Sequence, residues 1–485
     1  MTDVQLNTNS RPQKVRQAQP PRVSRGAARE RLLALAFLAV VPLILLRLTL
    51  HGVADPDTFW HIRAGQYLWG NWKFTSPDPW SPFSSRNWIL HEWLPELGLA
   101  AAASVGGLPA VAWLTVAAGA LLFLFVYLSC RSWAPILPAT IASTAAVFGA
   151  SASLTARPQL ASFVLLAVFV GAWLRTTRDG KARWWLVPLT WFWACSHGMW
   201  FVGVMVGIAT IGGMILDAPR AARPRAVRLL TVPVLGMLTA AITPAGPELL
   251  LAPLRVGETT DLVSEWSAPS LTDPNVAVTL AMVGGIALIW SRQGHRIPWT
   301  RLALLASGVG WTLLYARTVA LGAIIVAPLL AEALQSMHPD ERVTGTRAEH
   351  WTLVGGLGVA LTVAALLVPR VASEPGMPNG LDPALSRIPP GSVVFDEYSL
   401  GGWLLWRHPQ LRPVIDPRVE VYDTAYVRQH VRALAAMPGW QETLRRSGAR
   451  YAVVPTDSAL AAALSSQEGW TESDRSDGYS LLVKG

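Results

Sequence analysis

Residues 55–74 read DPDTFWHIRAGQYLWGNWKF, two aspartates and a histidine beside a run of aromatic side chains in a chain otherwise poor in charge. The stretch follows an apolar run at residues 32–50, and what lies on either side of it decides the class of fold. Of 485 residues, 52% are hydrophobic and only 15% charged, with 23 Trp and a mean hydropathy of +0.34. Soluble domains of this size carry more charge, so the chain reads as a polytopic α-helical membrane protein.

Counting stretches long enough to cross a hydrocarbon core of about 30 Å predicts about 11 transmembrane helices, centred near residues 41, 119, 142, 167, 191, 208, 235, 283, 308, 327 and 360. The net charge of +9 does not indicate nucleic acid, because Arg11, Lys14, Arg16, Arg22, Arg25, Arg29 and Arg31 all precede the first apolar run. Residues 1–31 read as a disordered basic tail that anchors the N-terminus in the cytoplasm. The run at 32–50 has no small-residue cleavage site and reads as a retained helix. Cys130 and Cys195, the two cysteines, both fall in apolar segments, which excludes a disulfide framework and a cysteine metal site.

Loop charge orients the bundle. With the N-terminus inside, basic runs at 175–183, 219–228, 291–296 and 338–350 all fall on the cytoplasmic side. Asp55, Asp57, His61, His91, Glu92, Arg157, His197, Glu248, Glu265 and Arg317 then lie on, or within a turn of, the outer face. Ionisable groups near membrane depth are costly and mark functional candidates. The opening loop, 52–92, is extracytoplasmic in this topology. Within it, residues 57–72 form an expected interfacial helix with Trp60, Ala64, Tyr67 and Leu68 on one side and Asp57 and His61 together nearby. A Pro-broken loop and a second short helix from His91 follow.

These residues suit one kind of chemistry. A carboxylate accepts a proton from a hydroxyl or helps hold a divalent cation against phosphate, and an arginine pairs with phosphate oxygens. No phosphate-cradling Gly-rich loop is present. Asp55 and Asp57 with Arg317 fit a sugar carried on a polyprenyl phosphate, whose tail would enter the bundle from the membrane lipid. His91 and Glu92 are adjacent, which is not the spacing of a helical zinc pair. From residue 371 the composition becomes that of a soluble α/β module, read as an extracytoplasmic domain spanning 371–485 after a membrane part spanning 32–370. Strands are expected at 392–396, 412–416, 450–455 and 479–484, with helices at 400–407, 424–446 and 457–464. Asp416, Arg418 and Glu420 alternate and are read as an exposed ion-pair ladder.

The order of parts resembles the GT-C class of integral-membrane glycosyltransferases, and the chain is similar to a largely uncharacterised group of bacterial membrane proteins. The resemblance rests on DPDTFWHIRAGQYL, NWILHEWLPEL, ARPQL, SHGMW, TPAGPELL, SEWSAP and VVFDEYSLGGWLLWRHPQLRPVIDPRVEVYD, and covers most of residues 32–485. It implies a multi-pass protein of the bacterial inner membrane that transfers sugar from a lipid-phosphate donor to a glycan, lipid or protein acceptor. Carried over, the catalytic base of the first outer loop falls on Asp57, with Asp55 orienting it or joining it on Mg2+ or Mn2+. Arg317 and Arg157 suit the phosphate, and His61, His91, Glu92, His197 and Glu265 the substrate path. Beside this stand plainer roles: a helix cap for the aspartates, loop hydrogen bonds for His61, and packing for His197. The runner-up function is a non-catalytic transporter or assembly subunit for cell-envelope polysaccharide, against which stands the confinement of polar residues to one face.

Overall fold

The computed structural model describes residues 25–50, 52–251, 266–294, 296–337, 347–371, 374–467 and 469–485. Helix α1 (Arg25–Leu50) begins inside the expected basic tail and leads into α2 (Asp57–Asn71). The bundle continues through α3 (Trp93–Arg131), α4 (Ile136–Ala150), α5 (Gln159–Asp179), α6 (Leu186–Ala194), α7 (Trp200–Asp217), α8 (Arg223–Arg228) and α9 (Thr231–Thr239). It closes with α10 (Pro274–Ser291), α11 (Trp299–Leu314), α12 (Val319–Ser336) and α13 (Arg347–Val371). Among the described residues, eight helices are long and apolar enough to cross a membrane, which makes this a multi-pass membrane protein.

Of the eleven expected stretches, those near residues 41, 191 and 308 are not among these eight. All three are helical, but the apolar part of the first is Leu32–Leu45, α6 has 9 residues and α11 has 16. Nine residues rise only about 13 Å. The greasy stretch around α6 is interrupted where Ser196, His197 and Gly198 turn the chain, and a new helix starts at Trp200. Helix α12 is the hub: it is buried on every side and packs against α3, α4, α5, α10 and α11. A helix apolar all round requires such enclosure.

Two features bring polar chemistry to one end of the bundle. Helix α3 bends at Gly106–Gly107, where Gly107 takes φ +62°, so that its first turns run apart from its membrane-spanning part. This is the short helix expected from His91. Helix α2 lies against those first turns, and Gly65 permits the approach: a Cβ there would run into the Glu96 carbonyl. Between α2 and α3, a hairpin of β1 (Thr75–Pro77) and β2 (Asn87–Ile89) organises the loop expected to be irregular.

The C-terminal part is a five-stranded sheet of β3 (Val393–Asp396), β4 (Arg412–Pro413), β5 (Tyr451–Pro455), β6 (Trp470–Ser476) and β7 (Tyr479–Lys484), in the order β4-β3-β5-β7-β6. The first three are mutually parallel, and β7 pairs antiparallel with both β5 and β6. Helices α14 (Asp382–Leu385), α15 (Gly401–Arg407), α16 (Thr424–Leu434), α17 (Trp440–Ser447) and α18 (Ala459–Ser465) accompany it. The long helix expected at 424–446 is broken by Pro438 and Gly439, the latter at φ +96°. Strand β6 was not expected, because an exposed edge reading TESDRS has no apolar alternation.

This sheet domain docks on the outer loop rather than standing apart from it. Phe59 and Ile62 of α2 share a core with Leu400, Trp403 and Leu404, while Trp60, Ala64 and Leu68 pack with Ile415, Val421 and Tyr422. Helix α2 is thus enclosed on two faces, whereas the sequence suggested a helix lying in the membrane interface.

Candidate active site

The site begins at the turn into α2. Asp55 accepts the Asp57 backbone N–H on Oδ1 at 3.0 Å, the capping role expected of it, which leaves its other oxygen for a partner. That partner comes from the bend before α5: Arg157 Nε lies 2.6 Å from Asp55 Oδ2, and its Nη2 lies 3.0 Å from Asp57 Oδ2. The two aspartates expected to hold a cation therefore share a guanidinium. Asp57 is the more open of the pair, at 24% side-chain exposure against 9% for Asp55. Two residues along, Gln159 Oε1 accepts from Arg317 Nη2 at 3.4 Å, and the Arg317 guanidinium lies over the Trp266 ring. One short segment, 157–159, thus gathers both arginines.

The i, i+4 partners Asp57 and His61 go different ways. His61 is buried, and its Nδ1 lies 3.0 Å from Glu96 Oε1. Its Nε2 lies 3.9 Å from Glu92 Oε2. The other Glu92 oxygen faces His91 Nε2 at 3.4 Å and His197 Nε2 at 3.6 Å. His197 Nδ1 is 2.8 Å from the Ser162 hydroxyl, which accepts from Trp193 Nε1 at 2.6 Å. Glu92 is therefore ringed by three histidines from separate segments.

Their titration follows from this packing. Burial lowers His61 to about 3, with the Arg157 charge also lowering it, and lowers His197 to about 4, with Arg317 and Arg157 adding to the effect. Burial alone would lower His91 as well, but the Glu92 carboxylate outweighs it and raises His91 to about 9. Burial would raise Glu92, yet His197, His91 and His61 together hold it below the usual carboxylate range. At pH 7, His91 is the charged imidazole and the other two are neutral.

Of the residues singled out from the sequence, Asp55, Asp57, His61, His91, Glu92, Arg157, His197 and Arg317 come together here. Glu248 sits exposed on a 3-10 turn, and Glu265 lies outside the described residues. Glu96 went unnoticed, although its i, i+4 relation to Glu92 was legible. The ion pair expected between Asp416 and Arg418 is present, but its burial and its third member, Asp78, were missed. Arg418 reaches Asp78 in the outer loop and Asp416, with both Arg418 and Asp78 side chains wholly buried, so the expected exposed ladder is an internal lock. Its residues lie in a turn ending in a 3-10 segment, and only Glu420 faces out.

No family model matches the chain, and no curated protein matches it. Solved structures do. An archaeal oligosaccharyltransferase, AglB from Archaeoglobus fulgidus in complex with an inhibitory peptide and a dolichol-phosphate, is similar at TM-score 0.61 and 13% identity over 88% of this chain and 70% of that one. The Archaeoglobus fulgidus oligosaccharyltransferase in the apo form gives TM-score 0.60 and 13% identity over 87% and 70%. At this identity the likeness is one of fold alone, shared with these archaeal oligosaccharyltransferases.

Proposed function

We propose that the protein is a GT-C glycosyltransferase of the bacterial inner membrane that moves a sugar from a polyprenyl-phosphate donor to an extracytoplasmic cell-envelope acceptor. In this reading the N-terminus is cytoplasmic, all eleven apolar stretches lodge in the membrane, and the domain after residue 371 is extracytoplasmic. The observation that carries it is Arg157 held between Asp55 and Asp57 at the entry to α5, with Arg317 tied to the same segment through Gln159. Carboxylate and guanidinium groups lie side by side at one end of an apolar bundle.

Asp57, the more exposed carboxylate, takes the proton of the acceptor hydroxyl as that oxygen attacks the anomeric carbon. The bond from that carbon to the phosphate oxygen breaks on the opposite face, and its electron pair leaves with the polyprenyl phosphate, so the configuration inverts. Arg157 and Arg317 hold the phosphate as its charge develops. Asp55 positions Asp57 by accepting its backbone N–H and by sharing Arg157. A cleft of about 380 Å3 between the outer loop and the C-terminal domain, lined by Arg63, Tyr67, Trp80, Gln410 and Arg412, suits part of an acceptor glycan.

The test is incubation of purified protein with a panel of polyprenyl-phosphate sugars and acceptors, comparing wild type with Asp57→Asn and Arg317→Ala. Release of sugar by wild type alone supports the assignment. Binding without turnover in every combination would replace it with the transport or assembly reading.

A further inference from the structure

A second constellation lies beside the Asp55–Asp57–Arg157 group and is given no step in the transfer as proposed above. Glu92 and Glu96 stand one helical turn apart at the start of α3, Glu96 buried and Glu92 largely covered, its side chain 14% exposed. Glu96 is 2% exposed, its Oε1 is 3.0 Å from His61 Nδ1, and its Oε2 is buried with no hydrogen-bond partner. Two neighbouring carboxylates repel, and the buried one requires compensation. His91 and His197 both face Glu92 Oε1, which leaves Oε2 turned toward His61. If the His61 Nδ1–H is donated to Glu96, the neutral ring presents the lone pair of Nε2 to Glu92, an arrangement that a cation would relieve.

We propose that His61, Glu92 and Glu96 form a binding site for one divalent first-row transition-metal ion of the zinc class. One ligand atom from each residue lies within 4.8 Å of the others, a spacing that a metal with ligands at about 2.0–2.2 Å draws together with small side-chain shifts. The ion binds the Nε2 lone pair of His61 and one oxygen of each carboxylate, while the ring keeps its Nδ1–H donated to Glu96. Two carboxylates and a neutral imidazole balance the dication, and the imidazole favours zinc-class ions over Mg2+. Three protein ligands leave a coordination position for water. His91 and His197 act as positioning residues that orient Glu92.

The inference stands apart from the transferase reading, since metal is measured without turnover. Protein purified without chelator is analysed for bound metal by mass spectrometry, then stripped and titrated with Co2+ while visible absorption is followed. The expected result is about one equivalent of metal, d–d bands from Co2+ that Zn2+ abolishes and Mg2+ does not, and a higher Tm on reloading with Zn2+. His61→Ala and Glu96→Gln should each lower affinity about 100-fold or more, and Asp57→Asn should leave it unchanged. Circular dichroism confirms that each variant is folded. Failure of the folded wild type to bind Zn2+ or Co2+ at micromolar concentration overturns the proposal. So does binding that survives in folded His61→Ala and Glu96→Gln, or that disappears in Asp57→Asn.

Discussion

Arg418 of the C-terminal domain and Asp78 of the first outer loop, 340 positions apart, meet through two bonds of 2.9 and 3.1 Å with both side chains wholly buried. Arg418 also binds Asp416, and Trp80 and Trp88 flank its guanidinium. The flanking carboxylates hold its pKa above the ordinary arginine value despite burial. A charge in this position ties the outer loop to the sheet domain and cannot be left alone.

Removing one partner strands the other. Asp78→Asn or Arg418→Ala is expected to cost about 3–5 kcal/mol and to open the loop at 73–90 to protease. Thermal unfolding in detergent and limited proteolysis measure both effects. A Tm within 1–2 degrees of wild type, roughly what a surface substitution gives, would show that the lock contributes nothing.

The close approach of α2 to α3 makes Gly65 a sensitive position. Its added Cβ would meet the Glu96 carbonyl and lie 2.8 Å from Ala100 Cβ, so Gly65→Ala must push the helices apart. The expected cost is about 1–3 kcal/mol, together with weaker Co2+ binding as His61 moves away from Glu96. Gly70 has open space around its Cβ position, and Gly70→Ala serves as the control.

Arg157 connects two aspartates, which a lysine does in a different way. Arg157→Lys keeps the charge but replaces the planar fork with a single ammonium, and turnover should fall at least about tenfold with the fold intact. Asp57→Asn, which removes the base, should cost about 10²–10⁴ in kcat. If Arg157→Lys turned over as fast as wild type, Arg157 would be reduced to a bulk charge.

His430 links stability to pH. Burial lowers its pKa to about 4, while its Nε2 donates to the Asp396 carbonyl at 2.9 Å. The unfolded chain therefore binds a proton that the folded one refuses, and the stability contributed by the neutral ring is complete above about pH 6.5 and lost as pH falls toward 4. The loss is on the order of 3 kcal/mol. Burial raises the pKa of Asp396, which gives the opposite slope above the ordinary carboxylate range. Since Asp396 is present in both proteins, the difference in Tm between wild type and His430→Gln, followed from pH 7 to pH 4.5, isolates the histidine.

Much of the architecture was legible because it rests on local pattern. Apolar stretches of spanning length, the helix from Asp57, and strands such as β3, β5 and β7 all show themselves in periodicity and composition. What failed was local too: β6 is a polar edge, and α6 ends early at a turn that composition along a window averages away.

The sequence by itself determined that this chain belongs in a membrane and that a helix bearing His61 starts at Asp57. Only the tertiary structure decided which partners its ionisable residues have. Glu92 meets His61, His91 and His197 because α2, the α3 entry and the turn before α7 converge, and Asp78 meets Arg418 because the sheet domain folds back over the outer loop. The physical reason is range. Helical period and hydropathy act over a few residues and are written along the chain, whereas a buried charge is satisfied by whichever group packing brings within about 3–4 Å, at any sequence separation.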